Sequence, residues 1–439
     1  VLTTREMVRM FRGEQVEPTL LPETPFDSPL GSGTGAAVIF GATGGVMEAA
    51  LRTVYFVLTG KEHEAITFEA VRGSEGVREA SVTINGQTLN LAIAHGMKNA
   101  KVVALAEVDA KKRKGDISAV VGNIGGGDNS EPLDLTGVAV YKSALELIAD
   151  PSVDVVDICV PTAYHAELVC AALAAGKHVF CEKPITVNYA LSCEMAEEAN
   201  KQGKMLNIGV CNRYHKSVEK LEQLNREGKF GNLYHVYCSF RSFRSIPGLG
   251  GAFTTKEQSG GGVLIDWGVH FLDLILYILG APALKTASCD SYCEMAKDMK
   301  SYKYKGMWAE DTADIENGTN DVDDFVTGYI RTDKASISFN GAWAQNIDAN
   351  DMFVDFLGDK GGVRFDYNKK TFTFFDGETL EAEAPECPNT NHFLAEDRAF
   401  IDSCKSGEFD QNHIDRILES AKLLDSLYAS ADARKEIKL

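Results

Sequence analysis

The chain has 439 residues and a formal net charge of −19 at pH 7. This length predicts two or three domains, which can bury a sizeable core without help from disulfides. The excess of acidic residues argues against nucleic acid or an anionic membrane surface as the main partner, and it is typical of a soluble enzyme that acts on small molecules.

The ten cysteines run from Cys159 to Cys404 and contain no C-x-x-C pair. This spread predicts reduced thiols in a cytoplasmic protein, with neither a disulfide framework nor a zinc site. No apolar run reaches transmembrane length, and we see no secretory signal. We therefore expect no membrane partner and no bound metal.

Residues 1–100 form the first predicted segment. An apolar strand runs into Gly41-Ala42-Thr43-Gly44-Gly45 and a helix start, an order that suits a phosphate-binding turn. The spacing is not G-x-G-x-x-G, so the turn by itself is weak evidence. Farther along, Thr83 to Ile93 predict a strand pair around Asn85-Gly86.

The same segment resembles the catalytic domain of iron-only hydrogenases. The resemblance is carried by Val1 to Glu6, by Pro29-Leu30-Gly31, by Phe40 to Thr53 and by Ala94-His95-Gly96. No cysteine precedes Cys159, so the segment lacks the thiolates that hold an iron–sulfur cluster, and hydrogenase-type function is not expected of it.

From Lys101 the composition changes. Val102 to Ala106 are apolar and are followed by Glu107, which is typical of a parallel strand buried on both faces. In a dinucleotide-binding unit, an acid at the end of the second strand binds the ribose hydroxyls of NAD and repels the phosphate of NADP. Glu107 is the candidate, with Asp109 behind it. The alternative is an ordinary acid at the end of a strand.

Residues 115–137 are glycine-rich and predicted to be a loop. Strands and helices then alternate from Val140 to Val210, which predicts a doubly wound parallel sheet. Ligands of such sheets lie beyond the carboxyl ends of the strands. The polar residues just past these ends are Thr162, His165, Glu182, Lys183, Asn212 and Arg213.

After residue 231 the pattern switches to alternating apolar and polar positions, which predicts an antiparallel sheet with one covered face. Residues 281–322 are predicted to be a surface excursion, acidic toward Asp324. Two helices, at about 391–405 and 411–430, close the chain.

Within this part lies the stretch from Gly260 to Asp273. Three glycines allow a tight turn and a close approach to a ligand. Asp266, His270 and Asp273 follow at helical spacing, so a helix would align them on one face. A carboxylate one turn from a histidine can orient it as an acid/base group. The alternative is a core helix capped by Asp266, with His270 as a buried polar group.

Three motifs together resemble the Gfo/Idh/MocA family of NAD(P)-dependent dehydrogenases: Asp154 to Thr162, Gly176 to Pro184, and Gly260 to His270. The resemblance runs from about Lys101 to the C-terminus. It implies a Rossmann-type domain over 101–211, an α+β domain with a large open antiparallel sheet over 212–390, and C-terminal helices over 391–439.

The family resemblance also implies roles. Lys183 would lie by the nicotinamide and the reacting hydroxyl, His270 would be the acid/base with Asp266 beside it, and Arg213 would line the substrate entrance together with these two. The implied substrate is a sugar, cyclitol or related polyol, the cofactor is NAD in preference to NADP, and the protein is a homo-oligomer. The implied cofactor-binding set is Glu107, Asp109, Pro161, Thr162, His165, Glu182 and Lys183.

The sequence departs from the family at its first βα unit. Leu89 to Ala94 could be the first parallel strand, but only six residues separate it from Lys101. Parallel strands need a crossover of about a dozen residues or more, so the pyrophosphate-binding turn and its helix are predicted to be missing. The alternative function is therefore a chimeric, cofactor-deficient member that binds a sugar or has no catalytic role.

Overall fold

A computed structural model describes residues 69–70, 77–84, 87–94, 102–116, 133–304, 307–348, 350–388 and 390–439. The chain divides into two units, the first ending at Lys101 and the second beginning at Val102. The glycine turn at 41–45, most of the hydrogenase-like segment and the glycine-rich residues 117–132 lie outside the described residues.

The described part of the first unit is an antiparallel sheet. Its strands are β1 (Glu69–Ala70), β2 (Val77–Ile84) and β3 (Gln87–Ala94). Ile84 is opposite Gln87, so β2 and β3 are joined through positions 85–86, as the sequence predicts. Leu89–Ala94 is therefore one arm of a hairpin, and the interpretation that it could be the first parallel strand is wrong.

The second unit begins with short parallel strands that alternate with helices, which confirms the predicted doubly wound arrangement. β4 pairs with β5, and β6, β7 and β8 pair in that order. Asn188 caps the third helix by accepting from the Leu191 N–H, and Gly203 ends it in the left-handed conformation. The strands are β4 (Ala104–Ala106), β5 (Ala139–Tyr141), β6 (Val155–Ile158), β7 (His178–Cys181) and β8 (Leu206–Ile208), and the helices are α1 (Ala144–Ile148), α2 (His165–Ala174) and α3 (Tyr189–Gln202).

The first of these strands is more exposed than its composition predicts. Val102 is 64% exposed and Val103 39% exposed directly before β4, and Val140 in β5 is 43% exposed. The prediction of a strand buried on both faces is therefore wrong. In a doubly wound sheet a preceding βα unit would cover this strand, and the sequence predicts that such a unit is missing.

The rest of the second unit is built on a nine-stranded sheet in the order β16-β15-β14-β13-β9-β12-β11-β10-β17. Its pairs are antiparallel except β9 with β12, which run parallel. The strands are β9 (Leu233–Arg241), β10 (Leu284–Tyr292), β11 (Phe325–Thr332), β12 (Ser336–Ala342), β13 (Asp351–Gly358), β14 (Gly361–Asp366), β15 (Thr371–Asp376), β16 (Ala382–Glu383) and β17 (Ile437–Lys438).

β10 corrects the sequence prediction, which left this segment in a surface excursion. It pairs with β11 along its length and with β17 at the sheet edge. Its inward positions carry small side chains, Ala287 and Cys289, so the apolar alternation that reveals a strand is weak in its sequence.

The helices of this part pack on the large sheet or beside the parallel strands. They are α4 (Lys216–Arg226), α5 (Lys256–Ser259), α6 (Val269–Ile278), α7 (His392–Ser406) and α8 (Gln411–Ala433). A π-helical turn, Leu264–Gly268, leads directly into α6. The last two helices confirm the predicted pair at the C-terminus.

One helical stretch, 256–278, is long and apolar enough to cross a membrane by length and composition, which the sequence analysis did not find. Of its most apolar window, 83% is buried inside the protein, as in the core helix of a soluble fold.

Two apolar cores hold the second unit together. One lies between the large sheet and α6, and the other lies around the parallel strands. α8 contributes to both, because Ile414 and Ile417 pack into the parallel-strand core while Leu423 and Leu427 pack into the sheet core. This helix therefore holds the carboxyl ends of the parallel strands against the layer that contains α6.

Candidate functional site

The site begins where β6 and β7 end. The chain leaves β7 through Glu182 and Lys183, and the Lys183–Pro184 peptide is cis. His165, the first residue of α2, is buried, with Nδ1 2.9 Å from the Pro184 carbonyl oxygen and Nε2 2.9 Å from the Val160 carbonyl oxygen. Burial lowers the pKa of His165. The His165 imidazole therefore joins the loop after β6 to the loop after β7, and it fixes the position of the Lys183 backbone.

Lys183 reaches across to the π turn. Its Nζ donates to Asp266 Oδ1 at 2.9 Å and to the Asp266 carbonyl oxygen at 3.2 Å. The other carboxylate oxygen of Asp266 accepts from Trp343 Nε1 at 3.2 Å. The side chains of the lysine and the aspartate are 18% and 9% exposed. The ammonium therefore sits at a partly dry site with its position held by Asp266.

The structure does not align Asp266 with His270 in the way the sequence predicts. Asp266 bonds to Lys183 and Trp343, and no hydrogen bond joins it to His270 in the described chain. The π turn is the reason, because it aligns residues five apart instead of four apart. Asp266 is held by the turn, while His270 belongs to the α-helix that follows it.

His270 faces an amide. Its Nδ1 lies 3.3 Å from Nδ2 of Asn212, which follows β8. Burial lowers the pKa of His270 well below its usual value, and the charges of Lys183, Lys370 and His392 lower it further. The imidazole is therefore neutral at neutral pH, which is the form that accepts a proton.

Asn212 is the centre of a network that sequence reasoning missed. Its Nδ2 donates to Tyr367 Oη at 3.0 Å, and its Oδ1 accepts from Lys370 Nζ at 3.0 Å. Because Lys370 occupies Oδ1, the amide presents Nδ2 to His270, and a neutral imidazole then carries its proton on Nε2. Tyr367 and Lys370 come from the turn after β14, and no local pattern in the sequence connects them to His270.

Arg213 and Asp273 form a buried ion pair. Arg213 Nε donates to Asp273 Oδ2 at 2.9 Å and Nη2 donates to Oδ1 at 2.5 Å, and Ser420 Oγ donates to the same Oδ1 at 3.2 Å. The guanidinium of Arg213 is therefore engaged inside the protein. Its role at the substrate entrance remains a prediction, and the contacts that it makes fasten the turn carrying Asn212 to helix α6.

The three glycines before the π turn approach protein instead of a ligand. An added side chain at Gly262 would lie 1.9 Å from the Asp323 carbonyl oxygen, and one at Gly261 would lie 2.1 Å from Tyr428 Oη. The buried Asp323 carboxylate accepts from the N–H groups of Gly262 and Leu264 at 2.8 and 2.9 Å. The cap of this helix is thus Asp323, which directly follows the predicted surface excursion, and not Asp266.

Glu107 follows the end of β4, where the sequence predicts a ribose-binding acid. Its Oε1 accepts from the Asp109 N–H at 2.9 Å. Asp109 itself accepts from the N–H groups of Lys111 and Lys112, and these hydrogen bonds lower its pKa. Asp109 is therefore a turn residue, whereas the second carboxylate oxygen of Glu107 makes no hydrogen bond to the described residues.

Glu182 directly follows the end of β7, at the edge of the sheet where the other candidate residues lie. Its Oε2 accepts from the Lys183 N–H at 3.1 Å, and burial raises its pKa. Glu396 on α7 is 2% exposed. Its burial, and to a lesser extent the nearby charge of Glu182, raise the pKa of Glu396 to about 8.

The predicted cofactor residues Pro161 and Thr162 begin a 3-10 turn after the end of β6. In the described chain no three His, Cys, Asp or Glu side chains lie close enough to hold a metal.

Three family models match the chain. "Oxidoreductase family, NAD-binding Rossmann fold" of GFO/IDH/MocA matches residues 86–210, and "GFO/IDH/MocA C-terminal domain" matches residues 218–364. "Iron only hydrogenase large subunit, C-terminal domain" matches residues 1–121. The two resemblances found in the sequence are confirmed.

Curated relatives divide in the same way. D-glucoside 3-dehydrogenase of Escherichia coli is 31% identical over 291 residues, which are 65% of this chain and 79% of that protein. Myo-inositol 2-dehydrogenase of Thermotoga maritima is 35% identical over 140 residues, or 32% of this chain and 40% of that protein. An NADP-reducing hydrogenase subunit of Solidesulfovibrio fructosivorans is 46% identical over 101 residues, but this chain spans only 17% of its length.

Among solved structures, levoglucosan dehydrogenase in complex with NADH and levoglucosan superposes with a TM-score of 0.63 at 17% identity, covering 77% of this chain and 90% of that one. Aldose-aldose oxidoreductase from Caulobacter crescentus gives a TM-score of 0.57 at 21% identity, covering 69% and 84%. At these identities the likeness establishes the fold: a parallel Rossmann-type sheet followed by a large, mostly antiparallel sheet.

Proposed function

Because this chain belongs to the Gfo/Idh/MocA family of NAD(P)-dependent dehydrogenases, we propose that its second unit moves a hydride between NAD and a secondary hydroxyl of a sugar, cyclitol or related polyol. The observation that carries the proposal is the convergence of Lys183, held by Asp266, with the neutral imidazole of His270 beyond the carboxyl ends of the parallel strands.

The described residues include groups that suit the ribose end and the nicotinamide end of a dinucleotide. At the ribose end, Glu107 has a carboxylate oxygen available for hydroxyl groups. At the nicotinamide end, the turn at Pro161-Thr162 and the loop carrying Lys183 are tied together by His165. In this fold family the pyrophosphate-binding turn precedes the strand at Val102, and the sequence predicts that this chain lacks that turn.

Bound NAD would supply the hydride acceptor at C4 of its nicotinamide ring. Lys183 donates a charged hydrogen bond to the reacting oxygen and stabilises the alkoxide that develops there. Asp266 holds the ammonium in place and offsets the cost of its partial burial.

His270 takes the hydroxyl proton. Its Nδ1 faces Asn212, which leaves Nε2 to reach the substrate oxygen. Nε2 can accept a proton when the ring N–H is on Nδ1 and points at the amide oxygen of Asn212. Oxidation therefore needs the amide to rotate away from the orientation that Lys370 holds, whereas reduction uses the Nε2–H form.

The test is calorimetric titration of NADH and NADPH into the full chain, followed by a screen of sugars and cyclitols. We expect NADH to bind in the micromolar range and more tightly than NADPH, because Glu107 repels the extra phosphate. Glu107→Gln should narrow that difference, and the exposed acid Glu146→Gln is the control. Lys183→Met should lower turnover about 10²–10³-fold while binding NADH.

A second candidate function is a cofactor-deficient member that binds a sugar. The exposure of Val102, Val103 and Val140 favours it, since these side chains lie where the first βα unit, which the sequence predicts to be missing, would pack. Absence of NADH and NADPH binding at millimolar concentration, with a sugar still bound, would overturn the dehydrogenase proposal in its favour.

We also propose that the protein is a cytoplasmic homo-oligomer. Tyr234 and Tyr237 are 53% and 51% exposed on β9, in the middle of the nine-stranded sheet, and aromatic residues are enriched at protein interfaces. All ten cysteines are free thiols, which suits a reducing compartment. Light scattering of the full chain tests the oligomer, and a monomer at working concentration would contradict it.

A further inference from the structure

Lys370 is a partly buried cation with no acidic partner. Its Nζ donates to Asn212 Oδ1 at 3.0 Å and lies 3.2 Å from the centre of the Tyr367 ring. No carboxylate in the described chain forms an ion pair with it, although Lys183 in the same pocket has Asp266. Burial lowers the pKa of Lys370 to about 8. Buried charges in proteins are ordinarily paired, so this one calls for a partner.

The backbone at Lys370 is also unusual. Its φ is +54°, in the left-handed region where glycine or asparagine is the common residue. The neighbouring Lys369 is an ordinary turn residue, exposed and paired with Asp366 at 2.9 Å. Strained backbone of this kind clusters at functional sites, and here it directs a long charged side chain inward, beside His270.

The groups around Lys370 add no negative charge to balance it. Burial lowers the pKa of His215, His270 and His392, and the charge of Lys370 lowers each pKa further. The rings of His215 and His392 lie 5.3 Å apart. Lys183 is balanced by Asp266.

Two potential anions near this pocket are held neutral. Burial raises the pKa of Glu396 to about 8 and that of the Cys211 thiol to about 12. At neutral pH both groups therefore stay protonated.

We propose that Lys370 binds an anionic group of the substrate, so that this enzyme acts on a sugar acid or a sugar phosphate and not on a neutral sugar. The inference rests on the proposed dehydrogenase function and names its substrate class. A carboxylate and a phosphate share the chemistry that an ammonium recognises, which is an anionic oxygen that accepts charged hydrogen bonds.

The binding of that anion also acts on His270. An anionic oxygen at Nζ competes with Asn212 Oδ1 for the same donor, and it offsets the charge that lowers the pKa of His270. Both effects make His270 a better base, because the amide is freed to accept from Nδ1. The negative charge of the substrate thus increases the basicity of His270.

The experiment uses the full chain with NAD and matched substrate pairs: glucose against glucuronate, and glucose against glucose 6-phosphate. Initial rates are measured for the wild type, for Lys370→Met and for the control Lys369→Met. We expect one of the two charged compounds to have a lower KM than glucose. If that compound is glucuronate, the site binds a carboxylate, and if it is glucose 6-phosphate, the site binds a phosphate. Lys370→Met should raise that KM about 10- to 100-fold, the value of one charged hydrogen bond, and should remove the preference for the charged compound over glucose. The control Lys369→Met should leave every KM unchanged.

Calorimetry of glucose, glucuronate and glucose 6-phosphate with the same three proteins separates the inference from the proposed function. Charge-selective binding that Lys370→Met abolishes supports the anion site even when no pair is turned over, and that combination overturns the dehydrogenase function alone. Equal binding of charged and neutral members, or selectivity that survives Lys370→Met, overturns the anion site. Selectivity should also weaken between pH 7 and pH 9, as Lys370 loses its proton.

Discussion

Replacing Arg213 by methionine should destabilise the second unit of the chain by about 3–5 kcal/mol, the cost of removing one partner from a buried ion pair. The side chains of Arg213 and Asp273 are only 7% and 3% exposed. Methionine keeps much of the arginine's apolar stem but leaves the carboxylate with one hydrogen bond, from the hydroxyl of Ser420.

The hydrogen bonds between Arg213 and Asp273 give a similar loss of folding free energy. Two hydrogen bonds join the guanidinium to Asp273. Each charge-assisted hydrogen bond is worth roughly 1.5–3 kcal/mol, so the pair is worth roughly 3–6 kcal/mol. For a unit of this size we expect the melting temperature to fall on the order of 5–15 °C.

The assay is thermal and urea denaturation of the full chain, followed by circular dichroism. Arg226→Met is the matched control, because that arginine is 72% exposed and 3.5 Å from Glu222, and such a pair contributes ~0–1 kcal/mol. The double variant Arg213→Met with Asp273→Leu should regain part of the loss, since both charges are then removed.

The refuting result is specific. A melting temperature equal to that of the control, together with a raised KM, would mean that Arg213 contacts the substrate. The role implied by the family resemblance would then be right, and the argument from the buried ion pair would be wrong.

Three further outcomes follow from the site. Burial and nearby charge lower the pKa of His270, so kcat/KM for oxidation should stay level as the pH falls through 6.5, and half-loss near 6.5 would contradict this assignment. Gly262→Ala should prevent soluble expression, because its Cβ would lie 1.9 Å from the Asp323 carbonyl oxygen. Gly228→Ala, with no atom within 4 Å, should cost only about 1–2 kcal/mol, the strain of an alanine at a φ of +73°. Since burial lowers the pKa of Lys370 to about 8, its charged form costs stability below that pH, and the cost fades between pH 8 and the usual lysine range. Lys370→Met should therefore raise the melting temperature at pH 7 and change it little at pH 11.

Much of the fold could be predicted because its signals are local. The alternation of strands and helices between Val140 and Val210, and the two C-terminal helices, are patterns within short windows. β10 was missed because its buried positions hold small residues. The π turn was missed because it has the same apolar composition as the α-helix that follows it.

The residues of the site could be predicted where they lie within a sequence motif, and not elsewhere. Lys183, Asp266 and His270 lie in motifs that family resemblance can find. Asn212 and Lys370 were not predicted as partners of His270, since 158 residues separate the amide from the lysine that holds it.

The sequence by itself determined the two family resemblances, the order of the parallel and antiparallel layers, and the three residues at the centre of the proposed site. Only the tertiary structure decided which partner each polar group has. Asp266 turned out to bind Lys183 instead of His270, Arg213 is paired inside the protein, and Asp323 caps the glycine turn. The physical reason is desolvation. A buried polar group must find a partner, and the partner comes from whichever distant segment the packing of the layers brings within reach.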